Sequence, residues 1–326
     1  MIDQSIIFVP KVNILSRPQP KSYDPPDAKA YIVLFSVTML WGSAFFFTSI
    51  ALRGYTPAQV VTARMLLGAI VLVPPIIATR QYRRLGRTDW LWLVSMGVVG
   101  YGLPFISIAW AQQYLSSSLA AIFMSLIPLF VLILSKLFLG DSISPRKWLG
   151  FLIGFVGLVL LVGPEGINGV GTEFLAQMAL LLSCLFLAAN SIILRRMPAI
   201  PPLQTTATAL FIGGLLVAPF GLQGLMTKSA QLIAEHGVSV TGLLPLISVI
   251  FMGVVLSGFG QTIRTQTIMR RGPVFFSISG YGIPVCATGL GVTFLGDEIT
   301  FQKIIAFCVI LFGLILAQSG SGQKKK

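Results

Sequence analysis

Gln261, Arg264 and Thr265 stand at i, i+3 and i+4 inside a long apolar run, which puts an amide, a guanidinium and a hydroxyl on one helical face. Lipid would penalise such a stripe, so it should face a water-filled cavity where it can hold a polar solute, although Arg264 is near enough to the end of its run to snorkel outward. Arg64 is a second cation deep in an apolar run, where an unpaired charge costs at least roughly 2.5 kcal/mol. It is either a cavity cation for an anionic or zwitterionic solute or a structural ion bonded to a neighbouring helix. Trp41, Tyr101, Trp110 and Tyr281 could stack on a planar solute or could pack helices and anchor at the interface. Ser43, Gln112, Ser125 and Asn190 can bond across helices as readily as they can hold a ligand. Pro104, Pro128 and Pro284 interrupt apolar runs, and the kinks they impose are hinge candidates or features of static shape.

Other chemistries lack their parts. Cys184, Cys286 and Cys308 lie in apolar runs without C-x-x-C spacing or a nearby histidine, so no metal site and no disulfide framework is indicated. No cofactor is expected. None of the ten acids, nor His236, falls in the middle of an apolar run. An intramembrane enzyme would need a nucleophile with a base there, and proton coupling would have to use end-of-run groups such as Asp141 or Asp297. The net charge of +13 could suggest nucleic acid, but Lys and Arg fall in short clusters without an aromatic-interleaved basic face. Nucleic acid is therefore not expected as a partner.

The elements that must carry these residues follow from composition. With 55% hydrophobic and 10% charged residues and a mean hydropathy of +0.87, the chain reads as an all-α integral membrane protein whose partner is the lipid bilayer. Ten apolar stretches of roughly 18 to 25 residues can each cross a core about 30 Å thick. They run Tyr31 to Leu52, Ala58 to Ala78, Leu91 to Ala111, Leu119 to Leu139, Trp148 to Val162, Phe174 to Leu194, Leu203 to Leu222, Leu243 to Thr267, Val274 to Leu295 and Phe301 to Ala317. Residues 1–30 read as a disordered tail and 319–326 as a basic tail.

Basic clusters at Arg80 to Arg87, Arg146 and Lys147, Arg195 and Arg196, Arg270 and Arg271, and Lys324 to Lys326 each follow an even-numbered span. Short basic loops stay in the cytoplasm during insertion, so both termini are expected inside. A repeat underlies the pattern. FLGDSISPRKWLGFLIGFVGLVLL at Phe138 matches FLGDEITFQKIIAFCVILFGLILA at Phe294, an offset of 156 that also pairs Met96 with Met252, Ser125 with Tyr281, Pro128 with Pro284 and Gly157 with Gly313. An offset of 145 pairs Gln59 with Gln204, Gly68 with Gly213 and Pro74 with Pro219, leaving extra residues in a loop from Gln223 to Thr241. Two five-span units, 31–163 and 174–318, would lie in opposite orientations because each has an odd number of spans.

The stretches LWGSAFFFTSIAL at Leu40 and ARMLLGAIVL at Ala63, with the two FLGD turns, resemble the drug/metabolite transporter superfamily in its bacterial ten-helix EamA type. The resemblance implies an inner-membrane carrier with a central cavity lined mainly by spans one, three, four, six, eight and nine, with spans two and seven peripheral. It implies a small-molecule substrate, and the expected function is export of amino acids or related metabolites by alternating access. A passive channel is the alternative reading, ahead of an intramembrane enzyme.

If both termini are cytoplasmic, Arg84→Cys in a cysteine-free background should react with an impermeant thiol reagent only after cells are permeabilised. Labelling in intact cells would reverse the topology.

Overall fold

Without water to satisfy them, backbone N–H and C=O groups in an apolar run must bond within the run, and helices are the result. The computed structural model describes residues 27–140, 144–168, 171–236, 240–276 and 279–319, and no strand occurs among them. The tail up to residue 26, Asp141 and residues 320–326 lie outside the described residues. Helix starts are encoded locally. Asp27 Oδ1 accepts from the Ala30 amide at 2.9 Å, the Ser116 hydroxyl accepts from the Leu119 amide, and Thr56 and Gln59 exchange bonds in a capping box. Pro57 and Pro202 occupy first-turn positions, where a missing N–H costs nothing.

Eight helices are long and apolar enough to cross a bilayer. They are α1 (Ala28–Ala51), α2 (Pro57–Thr79), α3 (Arg87–Ala111), α4 (Ser117–Leu139), α5 (Pro145–Gly163), α6 (Thr172–Arg196), α7 (Pro202–Gly221) and, after a helix α8 (Leu225–His236), α9 (Gly242–Arg271). Two shorter apolar helices follow, α10 (Ser279–Leu290, continuing as a π-helical turn to Leu295) and α11 (Phe301–Ser319). The stretch read from sequence as a loop between Gln223 and Thr241 is thus largely α8. It is held by a 2.9 Å hydrogen bond between the Tyr55 and Ser229 hydroxyls and by burial of Leu232.

Backbone irregularities recur at the repeat spacing. π-Helical segments occupy Met96–Gly102 in α3 and Met252–Gly260 in α9, and Ser135–Leu139 and Gly291–Leu295 at the ends of α4 and α10. Each second segment begins 156 residues after the first. Pro104 follows the first π segment directly, and α4 breaks at Ser125 and Leu126 just before Pro128, as expected where a proline removes an i→i−4 bond. In both FLGD turns the glycine, Gly140 or Gly296, ends its helix at φ 69° or 73°, a left-handed conformation that a Cβ would strain.

Glycines also set how the two halves interlock. A Cβ on Gly68 of α2 would stand 3.0 Å from the Gly253 carbonyl oxygen of α9, and one on Gly213 of α7 would stand 2.7 Å from the Gly97 carbonyl oxygen of α3. The two contacts exchange repeat counterparts, since Gly68 pairs with Gly213 and Gly97 with Gly253. α5 and α11 meet in the same way, with a Cβ on Gly313 only 2.5 Å from the Gly154 nitrogen, the close backbone approach that small residues allow in lipid. One buried cluster gathers around Met65, Tyr101 and Leu210, and another around Phe123, Leu180 and Ile310. The outer surface is apolar: Phe35, Leu137, Phe155, Phe220 and Phe312 are all more than half exposed.

Gly313→Leu should force α5 and α11 apart and cost about 1–3 kcal/mol by overpacking. The unfolding midpoint of the variant in detergent should fall by several degrees. A wild-type midpoint would show that the glycine contact carries little of the packing.

Candidate substrate-binding cavity

Between the helices lies a partly open cavity of about 130 Å³, enough for several water molecules. Its walls are mostly apolar: Phe45 from α1, Val60 from α2, Phe105 and Ile108 from α3, Met124 from α4, Leu187 from α6 and Leu256 from α9. Against this background a few polar groups stand out, and they come from α1, α2, α6 and α9 together with Ser279.

Arg64 reaches the cavity because α2 lies flush on α9. A Cβ on Gly253 would be 2.8 Å from the Leu67 Cβ and 3.3 Å from the Arg64 backbone, so the absence of a side chain there lets the two helices pack this closely. Its Nε donates to the Ser257 hydroxyl at 3.1 Å, and its guanidinium carbon sits 4.5 Å from the centre of the Phe105 ring. Only 8% of the residue is exposed. The expectation that span two is peripheral is therefore corrected: α2 contributes Val60 and Arg64 to the lining, whereas no lining residue comes from α7. The physical reason is the α2–α9 contact, which hydropathy does not report.

Arg264 is 4% exposed and lies 5.5 Å from the Trp41 ring and 5.8 Å from the Phe276 ring. Stacking on aromatic faces compensates a guanidinium for lost water. Arg264 Nε has no hydrogen-bond partner among the described residues, and the Tyr101 hydroxyl approaches the residue without forming a well-made bond. Snorkelling to the membrane surface is excluded by this burial. Gln261 also lines the cavity, with its Oε1 buried and unpartnered. Thr265 does not; its hydroxyl accepts from the Thr206 hydroxyl of α7 at 3.3 Å.

Trp41 and Pro128 also line the cavity, and Ser43, Tyr101, Pro104, Trp110, Gln112, Ser125, Asn190 and Pro284 do not. Gln112 ties α3 to α1, donating to the Phe45 carbonyl at 2.9 Å and the Ser49 hydroxyl at 3.1 Å. Ser43 and Ser125 donate to carbonyls of their own helices, and Trp110 packs edge-on against Tyr114. Asn190 is wholly buried with neither amide atom bonded, pressed against Gly100, where a Cβ would stand 2.5 Å away. Pro104 and Pro284 sit in helices α3 and α10 away from the lining, and the side chain of Tyr281 lies outside the described residues. Sequence reasoning missed Phe105, Phe276 and Ser257. The repeat held a signal for the first, because offset 156 pairs Phe105 with Gln261.

The charge of the cavity is unbalanced. The ion pairs among the described residues, Arg83 with Asp89 at 2.7 Å and Arg271 with Asp27 at 3.2 Å, lie elsewhere, and no Asp, Glu or His is among the lining residues. Two guanidinium groups thus face a mostly apolar space, and among the described residues none that lines it supplies a counter-ion.

Comparison with known proteins fits this arrangement. An uncharacterized transporter of Archaeoglobus fulgidus is 24% identical over 88% of this chain and 98% of its own length. Protein PecM of Dickeya dadantii is 24% identical over 87% of this chain and 90% of its own length. The uncharacterized inner membrane transporter YedA of Escherichia coli is 26% identical over 88% of this chain and 90% of its own length. A crystal structure with 20% identity aligns at a TM-score of 0.62 across 92% of this chain and 100% of that one, which establishes a shared fold. The EamA-like transporter family matches twice, over residues 28–163 and again over 174–318, and the chain therefore belongs to this family of multi-pass membrane transporters.

Proposed function

We propose that this transporter exports amino acids or related small metabolites by alternating access, and that it does so with ten spans in two inverted five-helix repeats, 31–163 and 174–318. The repeat reading is supported by the π segments at offset 156 and by the exchanged glycine contacts. Placement of both termini in the cytoplasm, in the inner membrane, rests on the basic clusters after even-numbered spans. The relative YedA, named an inner membrane transporter, is consistent with that placement.

The observation that carries the proposal is a cavity between the helices with unpartnered polar atoms, Gln261 Oε1 and Arg264 Nε. Groups left unsatisfied in a low-dielectric interior are stabilised when a solute arrives to bond them. Alternating access also needs contacts that break. Asp297, at the end of α10, accepts from the Ser117 hydroxyl at 2.8 Å and from the Ser118 amide and hydroxyl at 2.8 and 2.6 Å, all at the start of α4. This tie holds the outer end of the cavity closed in the proposed topology, and the breaks at Pro128 and Pro104 are the hinges about which it opens.

Two experiments test this reading. Gln261→Leu removes an acceptor that has no partner in the protein, so folding should survive while counterflow in proteoliposomes falls roughly three- to tenfold, the value of one neutral hydrogen bond. Unchanged kinetics would remove Gln261 from the binding site. For the tie, Asp297→Ala should raise labelling of Thr48→Cys in the cavity by an impermeant reagent in intact cells, and equal labelling would show that the contact does not gate access.

A further inference from the structure

We infer that the cavity is built for a net anion: a carboxylate on an apolar or aromatic body, carrying a hydroxyl or amide N–H where an amino acid has its free ammonium. This rests on the carrier reading and narrows it. Both Arg64 and Arg264 are more than nine-tenths buried and line the same space, and a guanidinium keeps its proton in any protein environment. Among the described residues the sole hydrogen bond from the Arg64 guanidinium is Nε to Ser257, and Arg264 Nε has no acceptor. The fork geometry of guanidinium matches a carboxylate in bidentate fashion, so donors left open in this way are donors for a carboxylate.

The arrangement along α9 adds a direction. Arg64 is held at the level of Ser257, and Arg264 lies seven residues further along the same helix, beyond the π segment that ends at Gly260. The two cations therefore stand at successive depths, and a carboxylate leaving one can be taken up by the other. A zwitterion fares worse on the same path. Among the described residues no acid lines the cavity to receive an ammonium, and of the four lining aromatics Phe105, Trp41 and Phe276 are already faced by the arginines, leaving Phe45. An ammonium would sit against two like charges in a space where screening is weak. The acceptor that remains is Gln261 Oε1, which suits one neutral donor such as a hydroxyl.

The test compares two ligands with one carbon skeleton, 2-hydroxyisocaproate and leucine, on the full chain purified in detergent and in proteoliposomes, at constant ionic strength. The hydroxy acid should raise the unfolding midpoint and bind at least tenfold more tightly than leucine. Arg64→Gln and Arg264→Gln should each weaken its binding at least tenfold, while Arg264→Lys, which keeps the charge, should lose less. Should the glutamine variants fail to fold, the wild-type comparison of the two ligands decides alone. Equal or tighter binding of leucine overturns the inference, as does the absence of stabilisation by the hydroxy acid. Stabilisation by chloride as strong as by the hydroxy acid would overturn it as well, since the arginines would then serve an inorganic ion. Binding of the hydroxy acid without counterflow would support the anion site while refuting the carrier reading, and counterflow of leucine alone would do the reverse.

Discussion

Two guanidinium groups that cannot lose their protons are held away from water inside a membrane protein, and much of the architecture follows from accommodating them. Each has surrendered most of its hydration, a cost of several kcal/mol that proteins offset only with well-placed partners. Arg64 has the Ser257 hydroxyl and the Phe105 face; Arg264 has the faces of Trp41 and Phe276. Neither set includes a carboxylate. The compensation is partial, and the incomplete part distinguishes the cavity from a packed core.

Holding Arg64 in this position depends on backbone contact elsewhere. Gly253 and Gly68, with no side chains, let α2 settle against α9, and from that seam Arg64 meets the Ser257 hydroxyl. The counterpart contact between α3 and α7 uses Gly97 and Gly213 with the same geometry, yet no charge follows there. At offset 145 the position of Arg64 is Ala209, and at offset 156 those of Gln261 and Arg264 are Phe105 and Ile108. The repeat thus shares backbone devices, including π segments and glycine seams, while the side chains differ. α9 brings Gln261 and Arg264 to the cavity where the corresponding positions of α3 bring Phe105 and Ile108.

The repeat is also unequal at the Asp297 contact. Asp297 is tied to the hydroxyls of Ser117 and Ser118, whereas the positions 156 residues on from these serines are Pro273 and Val274, which offer no hydroxyl.

The sequence by itself determined the all-helical membrane class, because a chain with so few charges can only be solvated by lipid. It also determined the repeat offsets, the glycine and proline positions and the basic clusters, all of them local or periodic features of one dimension. It singled out Arg64, Gln261 and Arg264 because each is costly in lipid wherever it points. What only the tertiary structure decided is where each points. Thr265 shares a helical face with Gln261 yet turns to Thr206, Gln112 ties two helices together, and span two, expected at the periphery, supplies a cavity cation. Phe276 and Ser257 had no mark in the sequence, since a phenylalanine or serine in an apolar run costs nothing unusual, and Phe105 was marked only by its repeat pairing with Gln261. Their roles arise from neighbours distant in the chain, and a contact between helices depends on shape complementarity at the seams, which composition and periodicity do not encode.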